Sequence, residues 1–427
     1  MVYSKMSDEE LLKLEGELEK KYREYLGLGL KLDISRGKPA TAQLDISDGI
    51  LEALKPGDCR SESGFDCRNY GLGDGLPEMK RFFSGFTGVP EKNIIVGGNS
   101  SLQLMYDAMV RCMLYGTVGS ERPWCEVKGR KWLCVVPGYD RHFAITESLG
   151  FEMINVDMKE DGPDMDAVRR LVKDPDVKGI WCVPKYSNPT GNTYSDEVVR
   201  ELASMECAAP DFRIFWDNAY AIHDLADKGD SLADIFAEAE KAGHEDRIFY
   251  FTSTSKVTYP GAGVAMIAAS AANLALIKSI MNVQTIGYDK LNQLRHIRFF
   301  RDADAVSAHM RKHSEIMRSK FDAVLNGFAA IKDCGIAEWT NPRGGYFISL
   351  DVMDGCASEV YRLCKEAGLT LTGAGATFPY GRDPRDRNLR IAPTYCGEEE
   401  VGTAIGILVT VIKLVSVRRI LADRKTA

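Results

Sequence analysis

Through the middle of the chain, apolar residues come in short unbroken runs rather than in alternation. The runs are 94–96, 132–136, 151–156, 179–183, 212–216, 248–251 and 264–268, and most are separated by stretches compatible with helix. An unbroken apolar run suits a strand buried on both faces, and strands alternating with helices build a largely parallel sheet. The pattern therefore predicts an α/β domain. Upstream, Leu11, Leu14, Leu18, Tyr22 and Tyr25 recur at helical spacing behind a Ser7/Glu10 capping-box pair, which predicts an amphipathic helix over 7–26. Downstream, a helical stretch over 303–328 gives way to thinner apolar runs at 345–350, 369–371 and 389–391, the pattern of a second, smaller α+β domain. The loop 373–388 is rich in Gly, Pro, Arg and Asp and reads as an exposed connection or a flap beside a site. The uncharged run 402–412 is about half of the roughly 20 residues that cross a bilayer as a helix, so it predicts a buried helix. There is no internal repeat at solenoid periods.

Composition narrows the picture. A chain of 427 residues exceeds one ordinary core, so two packed domains are expected. A formal charge of -7 argues against nucleic-acid or anionic-membrane partners, which favour clustered Lys and Arg. The short basic run Lys128, Arg130, Lys131 reads as a solvated face. The N-terminus becomes acidic at Asp8, Glu9 and Glu10 and lacks the apolar core of a secretory signal. Eleven cysteines without a C-x-x-C pair fit reduced, buried thiols, and a cytoplasmic location is expected. Six histidines without ligand spacing give no expectation of a metal.

In open α/β sheets ligands bind beyond the carboxyl ends of the strands, so the residues just after each apolar run carry the chemistry. Asn188-Pro189-Thr190-Gly191-Asn192 follows the run at 179–183, Asp217-Asn218-Ala219-Tyr220 follows 212–216, and Ser253-Thr254-Ser255-Lys256 follows 248–251. An acid, an amide, a phenol, hydroxyls and one lysine are thus expected on one crevice. That set suits an aldehyde cofactor carrying a phosphate and a ring nitrogen.

These segments, in this order from about Ser35 to Thr394, resemble the pyridoxal-phosphate-dependent fold-type I aminotransferases. The combination of Ser35-Arg36-Gly37-Lys38-Pro39, Val136-Pro137-Gly138-Tyr139-Asp140-Arg141-His142-Phe143 and Ser253-Thr254-Ser255-Lys256 is most similar to the MocR-type, class Ic aspartate aminotransferases. The resemblance implies an N-terminal arm with part of the small domain over 1–55. A large cofactor domain with a mostly parallel seven-stranded sheet would occupy 56–300, and a C-terminal small domain 301–427.

It also implies roles. Lys256 is expected to hold pyridoxal 5'-phosphate as a Schiff base and then to move the substrate α-proton, since a primary amine can do both. Asp217 is expected to pair with the pyridine nitrogen, and Tyr220 and Asn188 to hydrogen-bond the cofactor's phenolic oxygen. Tyr139 fits the ring-stacking aromatic. Ser253 and Ser255, with Asn99, Ser100 and Ser101 at a helix start, are expected to receive the phosphate. Arg390 and the backbone at Gly37 are expected to take the substrate α-carboxylate, an anion that a planar guanidinium can grip with two bonds. Arg36 and Arg141 are the candidates for a distal carboxylate. Tyr70, before Gly71, is expected to reach a partner subunit's cofactor phosphate, implying a homodimer with shared sites. One departure stands out: the family's phosphate-binding arginine about eight residues past the lysine is missing, because that stretch is Pro260-Gly261-Ala262-Gly263-Val264.

The expected reaction is amino-group transfer between an amino acid, aspartate above all, and a 2-oxo acid, above all 2-oxoglutarate. An aromatic, kynurenine or broad-specificity aminotransferase and a pyridoxal-phosphate lyase remain alternatives, because these enzymes share the lysine and the aspartate. A non-catalytic regulator of the MocR kind would need a basic helix-turn-helix, whereas the residues before Ser35 read as one acidic helix.

Overall fold

The computed structural model describes residues 2–426. Its strands in chain order are β1 (Leu32–Asp33), β2 (Ile94–Val96), β3 (Lys131–Val136), β4 (Glu152–Lys159), β5 (Gly162–Pro163), β6 (Val177–Cys182) and β7 (Arg213–Asp217). They continue with β8 (Ile248–Ser253), β9 (Ala265–Ala268), β10 (Ala337–Trp339), β11 (Ile348–Val352), β12 (Leu369–Thr370) and β13 (Asn388–Ile391).

The large sheet has the order β2-β9-β8-β7-β6-β3-β4-β5. The pairs from β8 through to β4 are parallel, and β9 runs antiparallel to both of its neighbours. The seven apolar runs are seven adjoining strands of this sheet. The expected count of seven is exceeded by one: β5 pairs antiparallel to β4 at the edge. Two residues leave no periodic trace, and Pro163, with no N–H to donate, suits an edge. Alternate side chains of β3 enter different cores. Leu133 and Val135 join one cluster, while Trp132, Cys134 and Val136 join the other, as burial on both faces requires. Packing is close at Gly179 of β6, where an added Cβ would lie 2.4 Å from the Trp132 ring and 2.5 Å from the Arg213 carbonyl oxygen. Overpacking such a point costs about 1–3 kcal/mol.

The ends of the chain meet. Strand β1 pairs parallel with β12, and the Ala392 N–H donates to the Ile34 carbonyl at 3.0 Å. Strands β10, β11 and β13 form a separate antiparallel sheet. The N-terminal helix Asp8–Gly27 begins with both halves of the Ser7/Glu10 capping box and packs on the helix Glu398–Thr426, with Arg418 bridging Glu15 and Glu19. The uncharged run 402–412 lies within that last helix. By length and composition the helix could cross a membrane, but most of its apolar stretch is buried in the fold.

Strand β3 has β4 on one side and β6 on the other, so the chain changes direction across the sheet at that point. The loops following β3, β6, β7 and β8 consequently open onto one crevice.

Candidate active site

That crevice is a cavity of about 660 Å³. Of the residues expected at the site, Arg36, Gly37, Ser100, Ser101, Tyr139, Arg141, Asn188, Asp217, Tyr220, Ser253, Ser255, Lys256 and Arg390 all line it. Asn99 and Tyr70 do not. Asn99 stands behind Ser255, whose hydroxyl donates to its carbonyl at 3.1 Å. Tyr70 is 76% exposed and outside this chain's own cavity.

Lys256 follows β8 on a turn clamped by Thr254. The amides of Val257 and Thr258 donate to the Thr254 carbonyl, and the Val264 amide donates to its hydroxyl at 2.9 Å. The Lys256 Nζ lies 5.0 Å from the centre of the Tyr220 ring and 5.9 Å from that of Tyr346. Burial holds its pKa below the usual lysine value. Asp217 opposes that shift, and Arg390 adds to it. A depressed pKa enlarges the neutral, nucleophilic fraction of the amine.

Asp217 ends β7. One oxygen, Oδ2, is 3.0 Å from His142 Nε2, while Oδ1 is buried with no partner among the described residues. His142 is held flat against Trp181, with ring centres 4.2 Å apart and planes 7° from parallel. The Trp181 N–H in turn donates to Thr146 at 2.8 Å. Sequence reading missed His142, having weighed the histidines only as metal ligands. The signal was available, since His142 lies three residues past Tyr139 in the quoted segment, one turn along the helix Asp140–Ser148.

Both phenols are raised. Burial, with Asp217 and Asp140 nearby, pushes Tyr139 up to about 12, and burial drives Tyr220 well above the ordinary tyrosine value. Both stay protonated as hydrogen-bond donors at neutral pH. On the far wall, Arg390 of β13 is nearly enclosed. Its Nη1 donates to Asp140 Oδ1 at 2.8 Å and to Asn188 Oδ1 at 3.4 Å, and its guanidinium sits 4.9 Å from the centre of the Phe347 ring. Without a counter-charge, a buried guanidinium would cost roughly 3–5 kcal/mol. Gly37 packs on the same phenylalanine, where an added Cβ would lie 2.5 Å from Phe347 Cζ. Any side chain at Gly37 would displace the ring under Arg390.

The opposite end of the cavity is built from hydroxyls. Ser100 is the N-cap of the helix Ser101–Tyr115 but makes no side-chain capping bond, so its hydroxyl is not spent on the helix. Ser253 donates to Ser255 at 3.1 Å. The basic residues lining the cavity are Arg36, Lys38, Arg141, Lys256 and Arg390, and none of them comes from the stretch 260–264. Lys38 is a lining cation that sequence reading passed over, although it stands inside the quoted Ser35–Pro39 segment.

The bare Asp217 oxygen is the most telling atom of the site. A buried carboxylate with one unused oxygen calls for an N–H from outside the chain, and a protonated pyridine nitrogen is the donor that fits beside a lysine able to form an imine. The residues present therefore fit pyridoxal phosphate, and the fold and cavity are those of a pyridoxal-phosphate-dependent aminotransferase. More particularly, the chain belongs to the aspartate amino-transferase family, whose sequence profile it matches over residues 6–424. It is 46% identical to the aspartate aminotransferase of Corynebacterium glutamicum over 93% of this chain and 92% of that protein. It resembles the crystal structure of an aspartate transaminase from C. glutamicum with a TM-score of 0.96 and 44% identity, covering 98% of this chain and 99% of that one. The α-aminoadipate aminotransferase of Thermus thermophilus, solved with N-(5'-phosphopyridoxyl)-L-leucine, shares the fold at a TM-score of 0.73 and 20% identity, over 95% of this chain and 97% of that one.

Proposed function

We propose that this aminotransferase takes its amino group from aspartate and passes it to 2-oxoglutarate, in the manner of the MocR-type, class Ic enzymes. The observation that carries this reading is the charge at the cavity mouth. Arg36, Lys38 and Arg141 are exposed cations on its lining, and among the described residues none of them forms an ion pair. Together with Arg390 they suit a substrate with two carboxylates. The name of the C. glutamicum relative points the same way.

When bound, pyridoxal phosphate supplies an aldehyde carbon and a ring that takes up the electron pair left as the Cα–H bond breaks. In this reading Asp217 Oδ1 accepts the ring N–H, and His142 keeps the carboxylate oriented. Tyr220 and Asn188 bond the phenolic oxygen, and Tyr139 covers the ring face. Lys256 Nζ would take the proton from the α-carbon and deliver it to the cofactor's aldehyde-derived carbon in the same half-reaction, and would run the transfer backwards in the other, a task its lowered pKa favours. Ser100, Ser101, Ser253 and Ser255 receive the phosphate.

The enzyme works as a two-fold homodimer in which Tyr70 serves the partner's site. Tyr70 is highly exposed and adjoins a segment carrying two exposed apolar side chains, Val283 and Ile286. The two segments meet where an added Cβ on Gly287 would lie 3.0 Å from the Gly71 carbonyl oxygen. An apolar patch of this kind suits an interface. A reduced, cytoplasmic setting suits eleven cysteines that are all free thiols.

The test is a panel of half-reactions scored by conversion of the pyridoxal to the pyridoxamine form of the cofactor. Aspartate and glutamate should give the highest kcat/KM. A higher value for leucine, phenylalanine or kynurenine would overturn the dicarboxylate assignment.

A further inference from the structure

The Arg390 guanidinium is engaged by a carboxylate that belongs to the chain itself. Asp140 Oδ1 accepts from Arg390 Nη1 at 2.8 Å, and both residues line the cavity. The pair is lopsided. The Arg390 side chain is 7% exposed, is rooted in β13 and lies over Phe347, so it is held in place by its surroundings. Asp140 is 33% exposed and opens the helix Asp140–Ser148, where the unpaired N–H groups of the first turn favour a carboxylate in any rotamer. The exposed cations Arg36, Lys38 and Arg141 share the lining and form no ion pair among the described residues, so a swung-out Asp140 would meet positive charge.

We propose that Asp140 is an internal competitor for the substrate α-carboxylate. It neutralises and aims Arg390 and yields its place on that guanidinium when an amino acid binds. This rests on reading Arg390 as the α-carboxylate receptor. Asp140 is then a positioning residue that sets how tightly carboxylates bind rather than how fast the proton moves. Two carboxylates cannot share one nearly enclosed edge without repulsion, so the competition weakens binding of every substrate alike and makes exchange of product for substrate easier.

The holoenzyme would be titrated with propionate and with succinate, which bind without reacting, and its aspartate half-reaction followed in parallel. In Asp140→Asn, which keeps the shape and removes the charge, both dissociation constants and the aspartate KM should fall roughly tenfold, the scale of one partly exposed ion pair. The limiting rate should change far less. Asp140→Ser should shift binding in the same direction, and Asp140→Glu should restore the weaker binding of the unaltered enzyme. Damage to the fold would weaken binding, so tightening is a sign that a merely structural role does not give. Unchanged or weaker binding in Asp140→Asn, with Arg390→Gln still impaired, overturns the competitor role alone. If Arg390→Gln binds propionate as well as the unaltered enzyme, the receptor reading falls, and the proposal falls with it.

Discussion

The two ends of the cavity meet negative charge in different ways. At one end stand Ser100, Ser101, Ser253 and Ser255 with the start of the helix Ser101–Tyr115, a set of neutral dipoles. At the other stand Arg390, Arg36, Lys38 and Arg141, a set of full charges of which, among the described residues, Arg390 alone is paired, with Asp140. Dipoles act at contact range and need a group that stays in register. Full charges also act at a distance, draw an anion in and are screened by salt. The contrast matches a resident phosphate at one end and carboxylates that come and go at the other.

The largest effect should come from the residue between the two ends. Lys256→Ala should abolish transfer and remove the absorbance band of the lysine-bound cofactor, while propionate still binds. Loss of carboxylate binding as well would show that the ends do not act independently. Next in size, Asp217→Ala should slow α-proton exchange, followed with deuterated aspartate, by roughly 10²-fold or more, the usual cost of removing a preorganised charge. A smaller effect is expected at the rim. Because Arg36 and Arg141 are exposed, neutralising the one that meets the distal carboxylate should lower kcat/KM for aspartate by only about fivefold relative to leucine. The effect should fade in high salt. Equal losses for both amino acids in both single variants would remove the distal-carboxylate role. Smallest of all, Ser253→Ala should weaken cofactor binding by about fivefold, one hydrogen bond's worth, with little dependence on salt. A strong salt dependence there would mean that an unseen cation, such as one from a partner subunit, holds the phosphate.

How much of this was legible in the sequence depended on the range of the interaction. The seven main strands announced themselves because burial on both faces makes each an unbroken apolar run. Strands β1 and β5 are two residues long and no local pattern marks them, whereas β12 falls in the apolar run 369–371 but pairs with β1 at the opposite end of the chain, which no local pattern shows. Lys256, Asp217 and Arg390 were found because strand ends and motif order single them out. His142 and Asp140 were passed over although their segment was quoted. Their roles are contacts with Asp217 and Arg390, 75 and 250 residues further along the chain. The exposure of Arg36 and Arg141, which reduces their expected effect, is likewise a property of the folded surface.

The meeting of the chain's ends sets an order of assembly during synthesis. The last strand of the large sheet, β9, is complete at Ala268, and by then Lys256, Asp217 and the hydroxyl end have all been made. The carboxylate end must wait for β12 and β13, which finish at Ile391. At a typical 5–20 residues per second, a growing chain spends roughly 6 to 25 s in that interval. During that time the chain has made Lys256, Asp217 and the hydroxyl end but not Arg390, so the arginine wall is the last part of the cavity to be made.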